Sequence, residues 1–335
     1  MGIGSRIELA RKSNGLSMRA LAERINLSAM AISKYERGIM NPSSSVLLQL
    51  ADVLHVNIEY FFRPAPETVS LVMYRKHTSL KKTKLNAIHA RIQEWLERYL
   101  EIESFFDFDF NSGTFWQRYA ISSLEDVEKV ANQVRQDWNL GSDPIDNLIE
   151  MLEAKGIKIG LIDGEDGFDG CTFRSNGAPV IVVRKDIPGD RQRFSIAHEL
   201  GHIVLDVDES LEEKAAYRFA GAFLFPQSMV FMELGKHRTQ ISLSELDLLK
   251  NKYGISMQAI LHRAKDLSII HANYYRDFCK YFSQMGYRKQ EPGEPLASEQ
   301  PVRMQQLLLR LIAEDIITQS KAEELNDEPI KEWGQ

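Results

Sequence analysis

His198, Glu199 and His202 carry residue types, at a spacing, that can do chemistry. Histidines at i and i+4 share one face of a helix, so both imidazoles can reach a single metal ion. Glu199 lies one residue further round, beside that ion, where it can hold a water or move a proton. The neighbours Ile196, Ala197, Leu200, Ile203 and Val204 are apolar, which makes this a buried helix. Charged residues are seldom fully buried without a partner, and zinc is the partner this spacing predicts.

A catalytic zinc takes three protein ligands and a water. Asp206 cannot be the third ligand within the same helix. It lies eight residues past His198, or roughly 12 Å along the axis at about 1.5 Å per residue. The next helix, over 211–225 and stopped by Pro226, is apolar beyond its first turn and offers Glu212 and Glu213. Helical phase does not choose between them, because both line up with apolar positions below.

The elements around these helices follow from local pattern. Residues 124–138 read as a helix, 139–141 as its stop, and 145–155 as a second helix started by Asp143 and Pro144 and ended by Gly156. Residues 157–162 alternate like a strand. Residues 170–173 and 179–183 are further strands, separated by Asn176 and Gly177. Two helices, a small sheet and then the metal helix make an α+β arrangement of zincin type.

Residues 123–226 resemble the ImmA/IrrE family of zinc metallopeptidases, whose pattern is R-F-x-x-A-H-E-L-G-H followed by E-x-x-A-x-x-F-A and a proline. Here the matching residues are Arg193, Phe194, Ala197 to His202, Glu213, Ala216, Phe219, Ala220 and Pro226. Asp169, Gly170 and the strand 179–183 also fit. The match continues less sharply through Gly286 to Lys289 and Glu291 to Gly293. The resemblance selects Glu213 as third ligand beside His198 and His202, with Zn2+ as cofactor and Glu199 as general base. Glu199 would accept a proton from water and pass it to the leaving amine. It assigns no oxyanion partner; many zincins use a His or Tyr, for which Tyr217, His237 and His262 are candidates, but all three read more simply as ordinary core or surface residues.

The first sixty residues form short helices between turn signals. Residues 3–12 make the first, broken by Asn14 and Gly15. Ser17 is an N-cap for 18–24, Ser28 for 29–37, and Gly38 ends that helix. Pro42 and the serines 43–45 open a fourth over 46–54. Two short helices joined by three to four turn residues are the helix-turn-helix arrangement. Residues 4–62 resemble the Cro/CI-like (XRE) DNA-binding family through Gly15, Leu16, Ser17, Leu21, Ala22, Ile32 to Gly38, Asn41, Pro42, Leu50 and Ala51. Met18 departs from the Gln that the family often has there. The resemblance implies that helix 28–37 enters the major groove of double-stranded operator DNA, with Ser28, Ala29, Met30 and Ser33 facing base edges. Lys34 and Arg19 would contact phosphates.

Charge agrees with this division. Residues 1–63 hold eight Lys and Arg against five Asp and Glu, net +3, in a chain whose total is −6. No segment approaches the roughly 20 apolar residues of a membrane span, and no secretory signal is visible, so a cytoplasmic, non-membrane protein is expected. Cys171 and Cys279 alone make neither a disulfide framework nor a zinc finger. Arg63 to Pro66 closes the first domain. Tyr74 to Lys76 with Lys81, Lys82 and Lys84 form a basic patch, and 83–105 a long amphipathic helix suited to a connection or a dimer contact. Residues 105–110 alternate aromatic and acidic, as a strand or packing loop. Helices are expected over 243–250 and 256–266, then after a Pro- and Glu-rich loop (291–301) near 303–312, and as a short pair over 314–325.

The expected fold is mainly α and multidomain. An all-α helix-turn-helix domain (1–63) precedes a helical linker region (64–122), an α+β zincin-like domain (123–270) and a helical C-terminal region (271–335). The expected function is a DNA-binding transcriptional regulator with a zinc-dependent endopeptidase that cuts a repressor or antitoxin protein. Two other readings are a non-cleaving zincin sensor and the peptidase toxin of a toxin-antitoxin pair. A homodimer is expected from the two-fold operators of such DNA binders.

Overall fold

Caps and breakers divide the chain into mostly short helices. In the computed structural model, which describes residues 2–63, 80–106, 117–288 and 290–326, the N-terminal helices are α1 (Ile3–Ser13), α2 (Met18–Arg24), α3 (Ala29–Glu36) and α4 (Ser44–Leu54). A 3-10 turn (Ile58–Phe62) and the long α5 (Lys82–Ser104) follow. Then come β1 (Tyr119–Ala120), α6 (Asp126–Asp137), α7 (Leu148–Ala154), β2 (Lys158–Ile162), β3 (Gly170–Ser175), β4 (Ala178–Arg184), α8 (Gly189–Val204) and β5 (Leu205–Asp206). The remaining helices are α9 (Glu212–Leu224), α10 (Gln227–Leu234), α11 (Leu243–Tyr253), α12 (Met257–Asp266), α13 (Ala272–Gln284), α14 (Arg303–Ala313) and α15 (Gln319–Asn326). The fold is mainly helical and multidomain.

Two compact units emerge. One comprises Met1–Phe110, Ile162–Phe168 and Val302–Gln335; the other comprises Asn111–Leu161 and Asp169–Pro301. This grouping crosses the four sequence segments: α5, α14 and α15 fall with the N-terminal helices, and α13 falls with the second unit.

In the first unit, serine caps act where the sequence places them. Ser17, Ser28 and Ser43 accept hydrogen bonds from the backbone N–H of Ala20, Ala31 and Val46, each cap contributing about 1 kcal/mol. Asn26 turns the chain between α2 and α3 at a φ of 53°. Ile7, Leu21, Ile32, Leu50 and Phe61 form the core. Gly4 lets α1 approach α3, since a Cβ there would stand 2.3 Å from the Tyr35 carbonyl oxygen. The buried Arg11 guanidinium grips the Glu36 carboxylate through Nε and Nη2. α5 buries Ile88, Ile92, Trp95, Leu96, Tyr99 and Ile102, as its spacing predicts. Arg6 pairs with its Glu97, and the Tyr60 hydroxyl donates to its Glu94 at 2.7 Å. Beyond Ile102, α5 packs against Leu307, Leu308, Leu311, Ala322 and Leu325 of α14 and α15.

In the second unit, β2, β4 and β3 form a sheet in that order, with β3 antiparallel to β4. β4 is buried along its length, as its run of Val180 to Val183 requires. α8 packs against this sheet on one side and α9 on the other. β1 and β5 pair in parallel beyond the end of α8. Behind α9, the Glu128 carboxylate of α6 receives the buried guanidinium of Arg263 and the Nε of Arg218.

Two local expectations differ from the structure. The helix expected over 145–155 starts only at Leu148, because Asn147 caps it by accepting from the Glu150 N–H. The expected pair over 314–325 is the single α15, since α14 ends at Ala313 and Asp315 turns the chain at a φ of 55°. The Pro- and Glu-rich stretch 291–301 is a loop, as expected, partly to fully exposed, but its Glu291 and Glu299 are not free. Glu291 caps α12 through Met257 and Gln258 and pairs with Lys250, while Glu299 holds Arg193 of α8 and the Ile149 N–H of α7. Residues Tyr74 to Lys76 of the basic patch and 107–110 of the aromatic-acidic run lie outside the described residues.

Candidate metal centre and nucleic-acid face

Whether a carboxylate from α9 reaches the two histidines depends on how closely the helices approach. Gly201 decides this: a Cβ on it would stand 3.0 Å from Ala216 Cα. With that contact open, α9 runs antiparallel beside α8, and Glu213 comes level with His202. The Nε2 atoms of His198 and His202 lie 3.2 Å apart. Glu213 places one carboxylate oxygen 3.6 Å from His198 Nε2 and the other 3.5 Å from His202 Nε2. Among the described residues these three form the group of His, Cys, Asp and Glu side chains able to hold a metal ion.

The spacing has a chemical meaning. A tetrahedral zinc with ligands at about 2.0–2.1 Å separates its ligand atoms by about 3.3–3.4 Å. The three separations here bracket that value. Two neutral imidazoles and a carboxylate are also a donor set suited to zinc. The residues therefore fit the ion.

Glu212, the alternative the sequence leaves open, takes the other end of His202, with its Oε1 3.2 Å from Nδ1. Asp206 stands past the end of α8, in β5, 3.5 Å from Arg118. Glu199 points to the sheet. The position of a Cβ on Gly170 would be 3.4 Å from Glu199 Cγ. Burial raises the Glu199 carboxyl to about 8. Burial, followed by the Glu199 charge, likewise pushes the thiol of neighbouring Cys171 up.

At the open side of the group stands Tyr217, which reads in the sequence as an ordinary core or surface residue. The Tyr217 ring lies 4.3 Å from the His198 ring, centroid to centroid, and Phe194 lies 6.2 Å beyond it. Tyr217 is one helical turn after Glu213 and remains 56% exposed. Burial, then the carboxylates of Asp169 and Glu199, raises its pKa, with Arg191 acting in opposition. Arg191 itself grips both oxygens of Asp169, at 2.6 and 2.8 Å. The i+4 spacing from Glu213 is the signal that separates Tyr217 from His237 and His262. His237 is exposed, and His262 pairs with Asp266 at 3.0 Å.

The residues expected to meet DNA gather on and beside α3. Ser28, Ala29, Met30 and Lys34 are exposed, and Ser33 is half-buried. Met30 is 69% exposed. The Ser28 hydroxyl is engaged as the helix cap. Arg19, on α2, makes an exposed i,i+4 pair with Glu23 at 3.0 Å, a contact that contributes at most about 0.5 kcal/mol and leaves the guanidinium available to an anion.

These arrangements define two classes of domain in one chain: a helix-turn-helix module, and a metallopeptidase-like module whose HExxH helix takes a carboxylate from the next helix. Comparison with known proteins agrees. Residues 7–61 match the helix-turn-helix family, and residues 153–265 match the family described as the IrrE N-terminal-like domain. The chain thus joins an XRE-type helix-turn-helix domain to an IrrE/ImmA-like domain of the M78 peptidase family.

Among curated relatives, an HTH-type transcriptional regulator of Sinorhizobium medicae is 36% identical over 64 residues, 19% of this chain and 46% of that protein. Another, from Mycobacterium tuberculosis, is 43% identical over 59 residues, 18% of this chain and 42% of that protein. The HTH-type transcriptional regulator ImmR of Bacillus subtilis is 32% identical over 60 residues, 18% of this chain and 47% of that protein. The chain spans about half the length of the curated relatives it matches. Bacillus thuringiensis PlcR, solved in complex with the peptide PapR7 and DNA, aligns over 97% of this chain and 92% of that one. Its identity is 12% and the TM-score 0.18, too low to carry an argument. Among the described residues, no helix is long and apolar enough to cross a membrane.

Proposed function

We propose that this chain is a DNA-binding transcriptional regulator whose IrrE/ImmA-like domain is a zinc-dependent endopeptidase, cutting a repressor or antitoxin protein. The observation that carries the reading is the convergence of His198 Nε2, His202 Nε2 and the Glu213 carboxylate at 3.2–3.6 Å, on the helix that also carries Glu199.

A zinc ion held by those three residues would supply Lewis acidity and lower the pKa of water toward about 7. Glu213 adds a negative charge to the site and tempers that acidity. Glu199 accepts the proton of the attacking water on its carboxylate and returns it to the leaving amide nitrogen. Its buried place against Gly170 excludes bulk solvent from that proton. Phe194 and Tyr217 offer an aromatic surface at the open side, against which an extended peptide would rest. In the other domain, Met30 and Ala29 would meet base edges in a major groove, while Lys34 and Arg19 would meet phosphates. A homodimer would match a two-fold operator.

The test uses the purified chain loaded with zinc and the repressor or antitoxin encoded beside it. The expected result is a specific cut that is lost in Glu199→Gln, while zinc content and operator binding stay as in the parent. If the parent binds zinc and leaves every such partner intact, and Glu199→Gln regulates normally in cells, the peptidase reading is wrong and the domain is a sensor.

A further inference from the structure

Glu212 and Glu213 are adjacent on α9, so their side chains leave the helix about 100° apart. That angle sends them to opposite ends of one imidazole. Glu213 meets His202 at Nε2, the nitrogen that also faces His198. Glu212 meets it at Nδ1, at 3.2 Å. The His202 side chain is 2% exposed and that of Glu212 is 19% exposed, so the contact is largely shielded from water.

We propose that Glu212 is a positioning residue for the metal centre: its carboxylate accepts the Nδ1 proton of His202 and thereby presents an unprotonated Nε2 to the space shared with His198 and Glu213. An ionised carboxylate has acceptors only, so the imidazole nitrogen facing it must donate. A neutral imidazole carries one ring proton. Holding that proton at Nδ1 leaves the lone pair on Nε2, the form a metal requires. The nearby negative charge also makes Nε2 more basic, and the hydrogen bond fixes the ring plane. Glu212 cannot itself share the ion with Glu213, because it sits on the side of the ring away from the converging nitrogens. The inference rests on the reading of His198, His202 and Glu213 as metal ligands.

A carboxylate in the first turn of a helix is also favoured by the helix dipole alone. The test must separate that effect from the hydrogen bond. Glu209, exposed and three residues earlier, serves as the charge control. The full chain is titrated with Co2+, followed by its visible absorption, and with Zn2+ in competition with a chelating dye. The variants are Glu212→Ala, Glu212→Gln, Glu209→Gln and, as the ligand control, Glu213→Ala.

The expected result is a zinc affinity about 10- to 100-fold weaker in Glu212→Ala, with a displaced Co2+ spectrum. Glu212→Gln, whose amide oxygen still accepts the proton, should fall between that variant and the parent. Glu209→Gln should match the parent. The inference is overturned if Glu212→Ala keeps the parent's affinity and spectrum, or if Glu209→Gln loses as much as Glu212→Ala. It is also overturned if Glu212→Ala abolishes binding as completely as Glu213→Ala, since Glu212 would then be a ligand. A parent chain that binds neither ion would instead remove the zinc reading beneath it.

Discussion

The helix α8 and the helix α3 each carry a candidate site, and they are built by opposite rules. On α8 the chemical groups are turned inward. His202 and Glu199 are buried, each His faces a carboxylate, and the neighbouring helix is held at a distance set by a glycine. On α3 the candidate residues are turned outward and are mostly small or apolar. The first site is organised before any ligand arrives, so one misplaced atom should be costly. The second presents a surface whose affinity is spread over many weak phosphate and base contacts, so no single loss should be decisive.

The largest effect should therefore come from the backbone of the metal site. Gly201→Val places a branched side chain against Ala216, whose Cα would stand 3.0 Å from the new Cβ, tighter than an ordinary contact. Overpacking of this kind costs about 1–3 kcal/mol. It should also move α9, and Glu213 with it, so zinc affinity should fall well beyond the stability loss. Chelator competition and denaturant unfolding measure the two separately. If zinc affinity holds while stability drops, the site is less preorganised than the comparison claims.

A smaller effect is expected at the other face. Lys34→Ala should weaken operator binding a few-fold and by a similar factor on unrelated DNA. The slope of log affinity against log salt should fall by about 0.9. Anisotropy titrations over a salt series would read this. A change confined to one base position would make Lys34 a base reader and sharpen the α3 side of the comparison.

Local signals in the sequence reach far along this chain. The i,i+4 histidines, the serine caps at 17, 28 and 43, and the apolar face of α5 stand where their patterns put them. What was hidden depends on partners distant in sequence. Phase on α9 could not rank Glu212 against Glu213; the antiparallel approach across Gly201 separates their roles. Glu291 and Glu299 look like solvated acids in a loop. Their partners Lys250 and Arg193 lie 41 and 106 residues away, beyond any local pattern. The charge count also misleads in part. Arg6 and Arg11 contribute to the basic excess of the first 63 residues, yet both are buried in pairs with Glu97 and Glu36. Arg19, Arg24, Lys34 and Arg37 are the exposed basic residues of this segment.

The central claim is that α8 and α9 together make a zinc centre, and metal content tests it most directly. The full chain, purified without added metal and analysed by mass spectrometry of its elements, should hold about one zinc per chain. Glu213→Ala and His202→Ala should each hold almost none while keeping their helical circular dichroism. A parent chain that carries no zinc and takes up none at micromolar concentration, or a Glu213→Ala variant that retains it in full, would contradict the account.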